Sequence, residues 1–323
     1  MSKLDQTFTL TFGDQGENHK GMQKIGKMAK SGFSLADITE ARIYFEKKGC
    51  KVEVYQLNKL LDGVDIGKAP KPQDAYILIA RDGANALLDD PKGASALYKE
   101  QELLEKDTKA FMYGRVVDKK ARSNLCFSIE PQEPDYENGK GRIIAYESVP
   151  VLSKLRVEIG ELFKNGKAKN MIVEGNYYYD IEKCYIGFHG DAERRKVIGV
   201  RLGASFKFHY QWFGIPEYDE EASKKAKAKK DNSRDRFTKK LLGPRFEITL
   251  NHGDVYIMSE KAVGTDWMSK KDITLRHAAG DPKCDGLKKV INMYSVGKSF
   301  FTRNNKVVYK RDEEGFVVVE FVD

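Results

Sequence analysis

The sequence of 323 residues predicts an α+β protein. The first hundred residues alternate between strand-like and helix-like patterns, whereas the chain from about residue 107 is dominated by short strand-like segments separated by turn residues. With 41% hydrophobic and 32% charged residues, the composition is typical of a chain with a packed core and excludes global disorder. The length is enough for one large domain or two modest ones.

The N-terminal region is predicted to contain three strands and two helices. The first strand is Thr7–Phe12, whose residues alternate between apolar and polar. A helix is predicted to begin after the capping residue Ser34 and to run to about Lys48, where Gly49 ends it. The other predicted elements are two short strands and a helix, Val52–Tyr55, Ala75–Ile79 and Ala94–Glu105.

The region after residue 106 is predicted to be mostly sheet, with one helix at about Pro150–Phe163. Many short strands with turns between them suggest a sandwich or a barrel. We therefore divide the chain into an N-terminal α/β extension, residues 1–106, and a sheet-rich domain, residues 107–323. The predicted strands are Phe111–Val117, Arg142–Tyr146, Met171–Tyr179, Ile186–His189, Lys196–Leu202, Phe206–Trp212, Arg245–Leu250, Asp254–Met258 and Val290–Val296.

The net charge of +8 is concentrated in one segment, residues 222–240. It contains seven Lys and two Arg against two Asp, whereas the remainder of the chain is close to neutral. Because it separates two predicted strands, we interpret it as a loop insertion. It is either a solvated loop or an arm that contacts nucleic-acid phosphates. The lysines expected to make those contacts are Lys224, Lys225, Lys227, Lys229 and Lys230.

Hydropathy and cysteine usage predict an intracellular protein. No stretch approaches the ~18 uninterrupted apolar residues of a membrane span, and the first residues lack the apolar block of a signal peptide. The four cysteines are far apart and form no CxxC pair, which argues against a zinc finger or a disulfide framework. We expect a monomer in the cytoplasm or nucleus, without a membrane partner.

The segment His189-Gly-Asp191 is a candidate metal-binding motif. Residues i and i+2 of a strand point to the same face, so one imidazole and one carboxylate can converge on an ion. His277 would complete a set of two histidines and one carboxylate, which leaves open positions on Fe(II). An isolated HxD pattern is weak, and its significance here depends on the residues around it.

The neighbouring segments, taken in order, resemble the core of the AlkB family. They are Asn176-Tyr-Tyr178-Tyr-Asp180, Ile186-Gly-Phe-His189-Gly-Asp191-Ala-Glu193-Arg194, Val200-Arg-Leu-Gly203, His252-Gly-Asp254-Val-Tyr-Ile-Met258 and Thr274-Leu-Arg-His277. Members of this family are dioxygenases that depend on Fe(II) and 2-oxoglutarate and consume O2. The resemblance covers roughly residues 107–297 and implies a double-stranded β-helix, or jelly-roll, core.

The resemblance also implies roles for individual residues. His189, Asp191 and His277 would hold the iron. The family binds the distal carboxylate of 2-oxoglutarate with arginines on the strand after the distal histidine, but residues 287–294 contain none. A lysine there would replace the bidentate arginine with a point charge. The residues expected to bind 2-oxoglutarate are Asn176, Tyr178, Lys289, Arg201 and Arg276.

The segment from Tyr113 to Arg122 resembles the nucleotide-recognition lid of the family. A base substrate would be flipped from its stack or presented single-stranded, and then held between aromatic and polar side chains. The residues expected to contact it are Phe111, Tyr113, Arg115, Lys119, Lys120, Arg122, Phe127, Glu193 and Arg194.

These inferences predict an enzyme that oxidatively demethylates or hydroxylates a nucleobase, with DNA favoured over RNA. Two alternatives stay open. The same chemistry could act on a protein side chain or a small molecule. Alternatively, since the expected arginines are missing, the protein could be a nucleic-acid-binding module whose metal site has decayed.

Overall fold

The computed structural model describes residues 5–218, 237–280, 306–311 and 317–322. Over these ranges the protein is mixed α and β, mostly sheet with few helices, as the sequence predicts. The helices are α1 Leu35–Lys47, α2 Gly83–Leu88, α3 Gly93–Glu102, α4 Pro150–Gly160 and α5 Glu260–Val263. Within the same ranges, no helix has the length and apolar character needed to cross a bilayer.

The strands of the described residues form two main sheets and two small hairpins. They are β1 Thr7–Gly13, β2 Gln15–Glu17, β3 Lys24–Gly26, β4 Val52–Gln56, β5 Tyr76–Ala80, β6 Lys109–Met112, β7 Arg115–Asp118, β8 Ser123–Ser128, β9 Ile143–Ala145, β10 Ile172–Tyr178, β11 Ile186–His189, β12 Val197–Gly203, β13 Phe206–Tyr218, β14 Phe237–Leu250, β15 Val255–Met258, β16 Thr274–Ala279, β17 Lys306–Arg311 and β18 Val317–Val322. The large sheet has the order β17-β18-β4-β5-β15-β12-β1-β10-β8-β9, and the second sheet has the order β11-β16-β13-β14.

Strand β1 lies in the middle of the large sheet, where it pairs with β10 on one side and β12 on the other. Its side chains alternate between two environments, as the period of a strand requires. Phe8, Leu10 and Phe12 pack into a core shared with helices α1 to α4. Thr9 and Thr11 line a cavity on the opposite face of the sheet.

A second apolar core lies on the cavity side of the large sheet. It joins residues of the large sheet, such as Tyr256 and Met258, to residues of the second sheet, such as Phe208, Trp212 and Leu275. One face of the large sheet is therefore covered by helices and the other by a second sheet. This layering leaves the space between the sheets for a site.

The pairing of the strands does not follow the predicted boundary between residues 106 and 107. Strands β1, β4 and β5 belong to the same sheet as β8, β10, β12 and β15. The division into an extension and a separate domain is therefore corrected, because residues 1–106 supply central strands of the large sheet. The physical reason is that β1 hydrogen-bonds with β10 on one edge and with β12 on the other, and both of these strands follow residue 106.

Two local predictions are also corrected. The predicted strand Phe111–Val117 is a hairpin of β6 and β7, because Tyr113 and Gly114 adopt positive φ values of 54° and 74° and reverse the chain. The predicted basic loop 222–240 ends earlier, since β14 begins at Phe237 and pairs with β13. The five lysines expected to contact phosphates, the predicted strand Val290–Val296 and Lys289 lie outside the described residues.

Candidate metal centre and its cavity

The structure brings His189, Asp191 and His277 together. Strands β11 and β16 are neighbours, and their register places His189 opposite His277. One potential ligand atom from each of the three side chains lies within 4.8 Å of the others. In each histidine, Nε2 lies 3.5 Å from Oδ1 of Asp191. Two imidazoles and one carboxylate in this arrangement could hold a divalent transition-metal ion.

Backbone contacts position the carboxylate after β11. The N–H of Asp191 donates to the carbonyl oxygen of Val263 at 3.1 Å. At position 190 a Cβ atom would lie 2.0 Å from the carbonyl oxygen of Gly264, so only glycine allows the two segments to approach this closely. The intervening glycine of the HxD motif therefore has a steric role.

The histidine rings are held by contacts away from the ligand atoms. Nδ1 of His189 lies 2.8 Å from the carbonyl oxygen of Gly187, which favours the tautomer that leaves Nε2 free to bind. The His277 ring stacks against Phe208, with ring centroids 5.8 Å apart. Both rings are thus oriented without the participation of Nε2.

The electrostatics favour the protonation states that a metal ion requires. Burial opposes ionisation of Asp191, but the charge of Arg194 and the adjacent side chains of His189 and His277 hold its pKa well below the usual range. Burial, together with the nearby His189, lowers the pKa of His277. Near neutral pH the carboxylate is therefore ionised and the His277 imidazole is neutral.

The three residues line a cavity of about 730 Å³. Its floor comes from adjacent strands of the large sheet, where Thr9 lies between Asn176 on β10 and Arg201 on β12. Aromatic rings of Tyr178 and Tyr256 form further parts of the wall. The cavity is large enough for a small molecule together with part of a second one.

Arg201 is a buried cation at the floor of the cavity. Its side chain is 1% exposed and packs beside the rings of Tyr178 and Phe206, with its guanidinium carbon 5.9 Å and 5.1 Å from their centroids. Nε and Nη1 have no hydrogen-bond partner among the described residues. Burial lowers the pKa of Arg201, although arginine remains charged in proteins. The hydroxyl of Thr9, in the neighbouring register position, likewise has no partner in the described part of the chain.

Two other residues expected to bind 2-oxoglutarate behave differently. The side-chain oxygen of Asn176 already accepts hydrogen bonds from Arg122 at 2.7 Å and Asn124 at 2.6 Å. Arg276 is not among the lining residues, because its guanidinium packs on the rings of Phe213 and Trp267. That prediction is corrected, since register places Arg276 on the strand face opposite to His277.

The predicted substrate residues divide into two groups. Arg122, Glu193 and Arg194 line the cavity. Burial raises the pKa of Glu193, whose carboxylate accepts hydrogen bonds from Arg194. The remaining predicted residues do not line it, and they are Phe111, Tyr113, Arg115, Lys119, Lys120 and Phe127.

The prediction for Phe127 is wrong, because its ring is fully buried in the core beneath the helices. Tyr113 is 90% exposed at the tip of the β6–β7 hairpin. Nζ of Lys119 donates to the Asn18 side chain at 2.8 Å, and burial lowers its pKa to about 8. Lys119 therefore contacts Asn18, which lines the cavity, without lining the cavity itself.

Sequence reasoning missed the two segments that form the mouth. One is the hairpin of β2 and β3, whose connecting residues 18–22 line the cavity, and the other contains Trp267 and Met268. Nζ of Lys20 lies 5.5 Å from the Trp267 ring centroid, so the two segments meet across the opening. The polar, glycine-flanked sequence of the hairpin carries no motif, and only its tertiary position indicates a role.

The fold and this site define a class: a sheet-rich α+β protein with a two-histidine, one-carboxylate group inside a cavity. The chain is 41% identical over 285 residues to Uncharacterized protein R156 of Acanthamoeba polyphaga mimivirus, and the match covers 88% of this chain and 98% of that protein. The chain therefore belongs to the same family as this viral protein. No family model matches the sequence.

Proposed function

We propose that this protein is an AlkB-like dioxygenase that uses Fe(II), 2-oxoglutarate and O2 to demethylate or hydroxylate a nucleobase. The observation that carries the proposal is the presence, in one cavity, of the group His189, Asp191 and His277 and of the buried cation Arg201. A two-histidine, one-carboxylate group and an anion-binding cation are the protein components that such an enzyme needs. The two-sheet arrangement is compatible with a jelly-roll core.

The donor set fits Fe(II). Two imidazole nitrogens and one carboxylate oxygen suit this ion and leave coordination positions for other molecules. When bound, iron and 2-oxoglutarate supply the oxidising chemistry, and the protein supplies binding, orientation and the exclusion of water. His189, Asp191 and His277 would hold the ion through Nε2 and Oδ1, the atoms that converge.

Arg201 fits one carboxylate of 2-oxoglutarate. A buried guanidinium without an anionic partner is costly, and a carboxylate can satisfy it with two parallel hydrogen bonds. The Thr9 hydroxyl lies beside it in register and can donate a further hydrogen bond. Arg201 thus takes the role that the resemblance gives to arginines on the strand after the distal histidine.

The residues at the cavity mouth favour a planar, negatively charged substrate. Trp267 places an aromatic ring beside Lys20 at the opening, and Arg122 adds positive charge to the cavity lining. A nucleobase on a phosphate backbone combines these two features. Glu193, inside the mouth, is placed to accept a hydrogen bond from a base edge.

Succinate formation tests the proposal. The full chain would be incubated aerobically with Fe(II) and 2-oxoglutarate, with and without an N-methylated single-stranded oligonucleotide. The matched variants are His189→Ala and His252→Asn, since His252 lies outside the cavity and bonds the Gly203 amide. We expect stimulation by the oligonucleotide in the wild type and in His252→Asn, and none in His189→Ala.

The other outcomes distinguish the alternatives. Succinate formed at the same rate with and without the oligonucleotide would favour a protein or small-molecule substrate. Binding of the oligonucleotide with no succinate would contradict the enzymatic proposal and favour a nucleic-acid-binding module with a decayed metal site.

A further inference from the structure

Arg194 is a second buried arginine in the cavity wall, and its contacts connect it to the metal group. Its side chain is 4% exposed. The guanidinium lies 2.5 Å from Glu174 and 2.7 Å from Glu193. Its Nε donates a hydrogen bond to Glu193 at 3.1 Å and lies 3.6 Å from Oδ2 of Asp191, which is an ion-pair contact rather than a hydrogen bond. Arg194 therefore lies next to Asp191, the carboxylate of the metal group, and is not itself a member of that group.

The two oxygens of Asp191 have different neighbours. Oδ1 lies 3.5 Å from Nε2 of both His189 and His277, whereas Oδ2 is the oxygen that faces Arg194. The ion-pair attraction on Oδ2 favours the carboxylate orientation in which Oδ1 converges with the imidazoles.

Arg194 is itself held by the large sheet. Glu174, on β10, accepts hydrogen bonds from the Asn176 side chain at 3.1 Å and from the backbone N–H of Glu17 at 3.3 Å. At position 13, on β1, a Cβ atom would lie 3.0 Å from Cδ of Arg194, so glycine gives the side chain room. The guanidinium is thus held by Glu174 on a regular strand as well as by Glu193 in the loop that carries Asp191.

The acidic partners also resolve an electrostatic difficulty. A cation beside a metal ligand would by itself repel the metal ion. Since Glu174 and Glu193 both contact Arg194, the three side chains together are not positively charged. The arrangement can orient Asp191 without opposing the binding of a divalent cation.

We propose that Arg194 is a positioning residue of the metal centre: it holds Oδ2 of Asp191 so that Oδ1 faces the ion. The inference rests on the metal site of the proposed function and adds to it a residue outside the metal group. Outer contacts of this kind typically contribute 10- to 100-fold to metal affinity. Glu174 is the residue that holds Arg194 in place.

Cobalt(II) binding to the full chain tests this inference, because Co(II) takes the same ligands and its visible absorption spectrum reports ligand geometry. The variant R194Q/E174Q replaces the buried ion pair with two neutral amides and avoids an unpaired charge at that pair. We expect about 10- to 100-fold weaker Co(II) binding and an altered visible spectrum. R194K keeps the positive charge without the fork and should give a smaller loss together with an altered spectrum.

The control is K167Q/D37N, which removes an ion pair 2.6 Å long from a different part of the fold, where Asp37 is buried and Lys167 is partly buried. It should lower stability without changing Co(II) affinity or spectrum. Circular dichroism would verify that each variant folds. If R194Q/E174Q does not fold, the Co(II) affinity and spectrum of R194K test the inference. Wild-type affinity and spectrum in the folded Arg194 variants would overturn the inference and leave the metal site intact. If the wild type shows no Co(II) binding that depends on His189, the proposed function fails instead.

Discussion

Arg194 and Arg201 lie in the wall of one cavity, are both almost fully buried, and differ in their partners. Arg194 contacts three carboxylates, and although burial opposes its charge, these partners raise its pKa well above the ordinary value. Arg201 contacts aromatic rings, and burial lowers its pKa. A buried charge that the fold already satisfies is part of the structure, whereas one that the described residues leave unsatisfied indicates a ligand.

The largest effect is expected when Arg194 loses its charge alone. Arg194→Met leaves Glu174 and Glu193 buried without their cation, so we expect the free energy of unfolding to fall by about 3–5 kcal/mol. Urea denaturation measures this change. The double variant R194M/E174M should recover much of the loss, because an apolar pair replaces the ion pair. An unchanged midpoint for Arg194→Met would contradict the description of Arg194 as a structural cation.

Arg201→Met should behave in the opposite way. Without ligand, its unfolding free energy should equal or exceed that of the wild type, since the change removes a buried cation that the described residues leave without a carboxylate. If Arg201 binds a carboxylate, 2-oxoglutarate at 100 times its dissociation constant stabilises the wild type by about 2.7 kcal/mol. The same concentration should leave Arg201→Met unchanged. Thermal denaturation with and without 2-oxoglutarate distinguishes Arg201→Met from the wild type. An equal shift of the melting temperature in both proteins would contradict the proposed role of Arg201.

Asp37 extends the comparison to a paired charge outside the cavity. Burial alone would raise its pKa, but hydrogen bonds from Lys167, Ser34 and Asn165 lower it from 3.8 to about 2. The lowered pKa corresponds to about 2 kcal/mol of stability, present above pH 4 and lost as the pH falls through 2. Asp37→Asn should therefore be less stable by about that amount at pH 7. The gap should close between pH 4 and pH 2, and a gap that persists at pH 2 would contradict this assignment.

The smallest effect is expected at the mouth, where Trp267 is only partly buried. Stacking of a base on an aromatic side chain contributes about 1–3 kcal/mol. Trp267→Ala should weaken binding of the methylated oligonucleotide about 10-fold, whereas Trp267→Phe should lose less. Fluorescence anisotropy of a labelled oligonucleotide measures both. An affinity equal to that of the wild type in Trp267→Ala would show that the substrate does not stack there. It would not contradict the roles proposed for residues in the interior of the cavity.

Several features could be predicted from local sequence. Helix α1 begins where predicted, because Ser34 and Asp37 form a reciprocal capping box. Strand β1 is found at Thr7–Gly13, close to the predicted Thr7–Phe12. His189 and Asp191 could be selected from their HxD spacing, although Asp191 lies just after β11 rather than on it. In each case the signal depends on residues within a few positions of one another.

Other features depended on contacts between distant segments. The sequence suggests that Phe127 is an aromatic residue of the lid. The pairing of β8 with β10 and β9 instead places it in the core. The hairpin of β2 and β3 has no recognisable motif, yet it lines the cavity mouth. Burial of one residue and exposure of another in a strand depend on what covers each face, and sequence alone does not specify that.

By itself, the sequence determined that the protein is mixed α and β, where most of the predicted strands lie, and which residue types can hold a metal ion. The tertiary structure alone decided that β1 lies between β10 and β12, and that His277 lies opposite His189. It also decided which buried arginine of the cavity wall contacts carboxylates and which one the described residues leave unsatisfied. The physical reason is that propensity and periodicity act over a few residues, whereas sheet pairing and charge satisfaction depend on residues far apart in the chain.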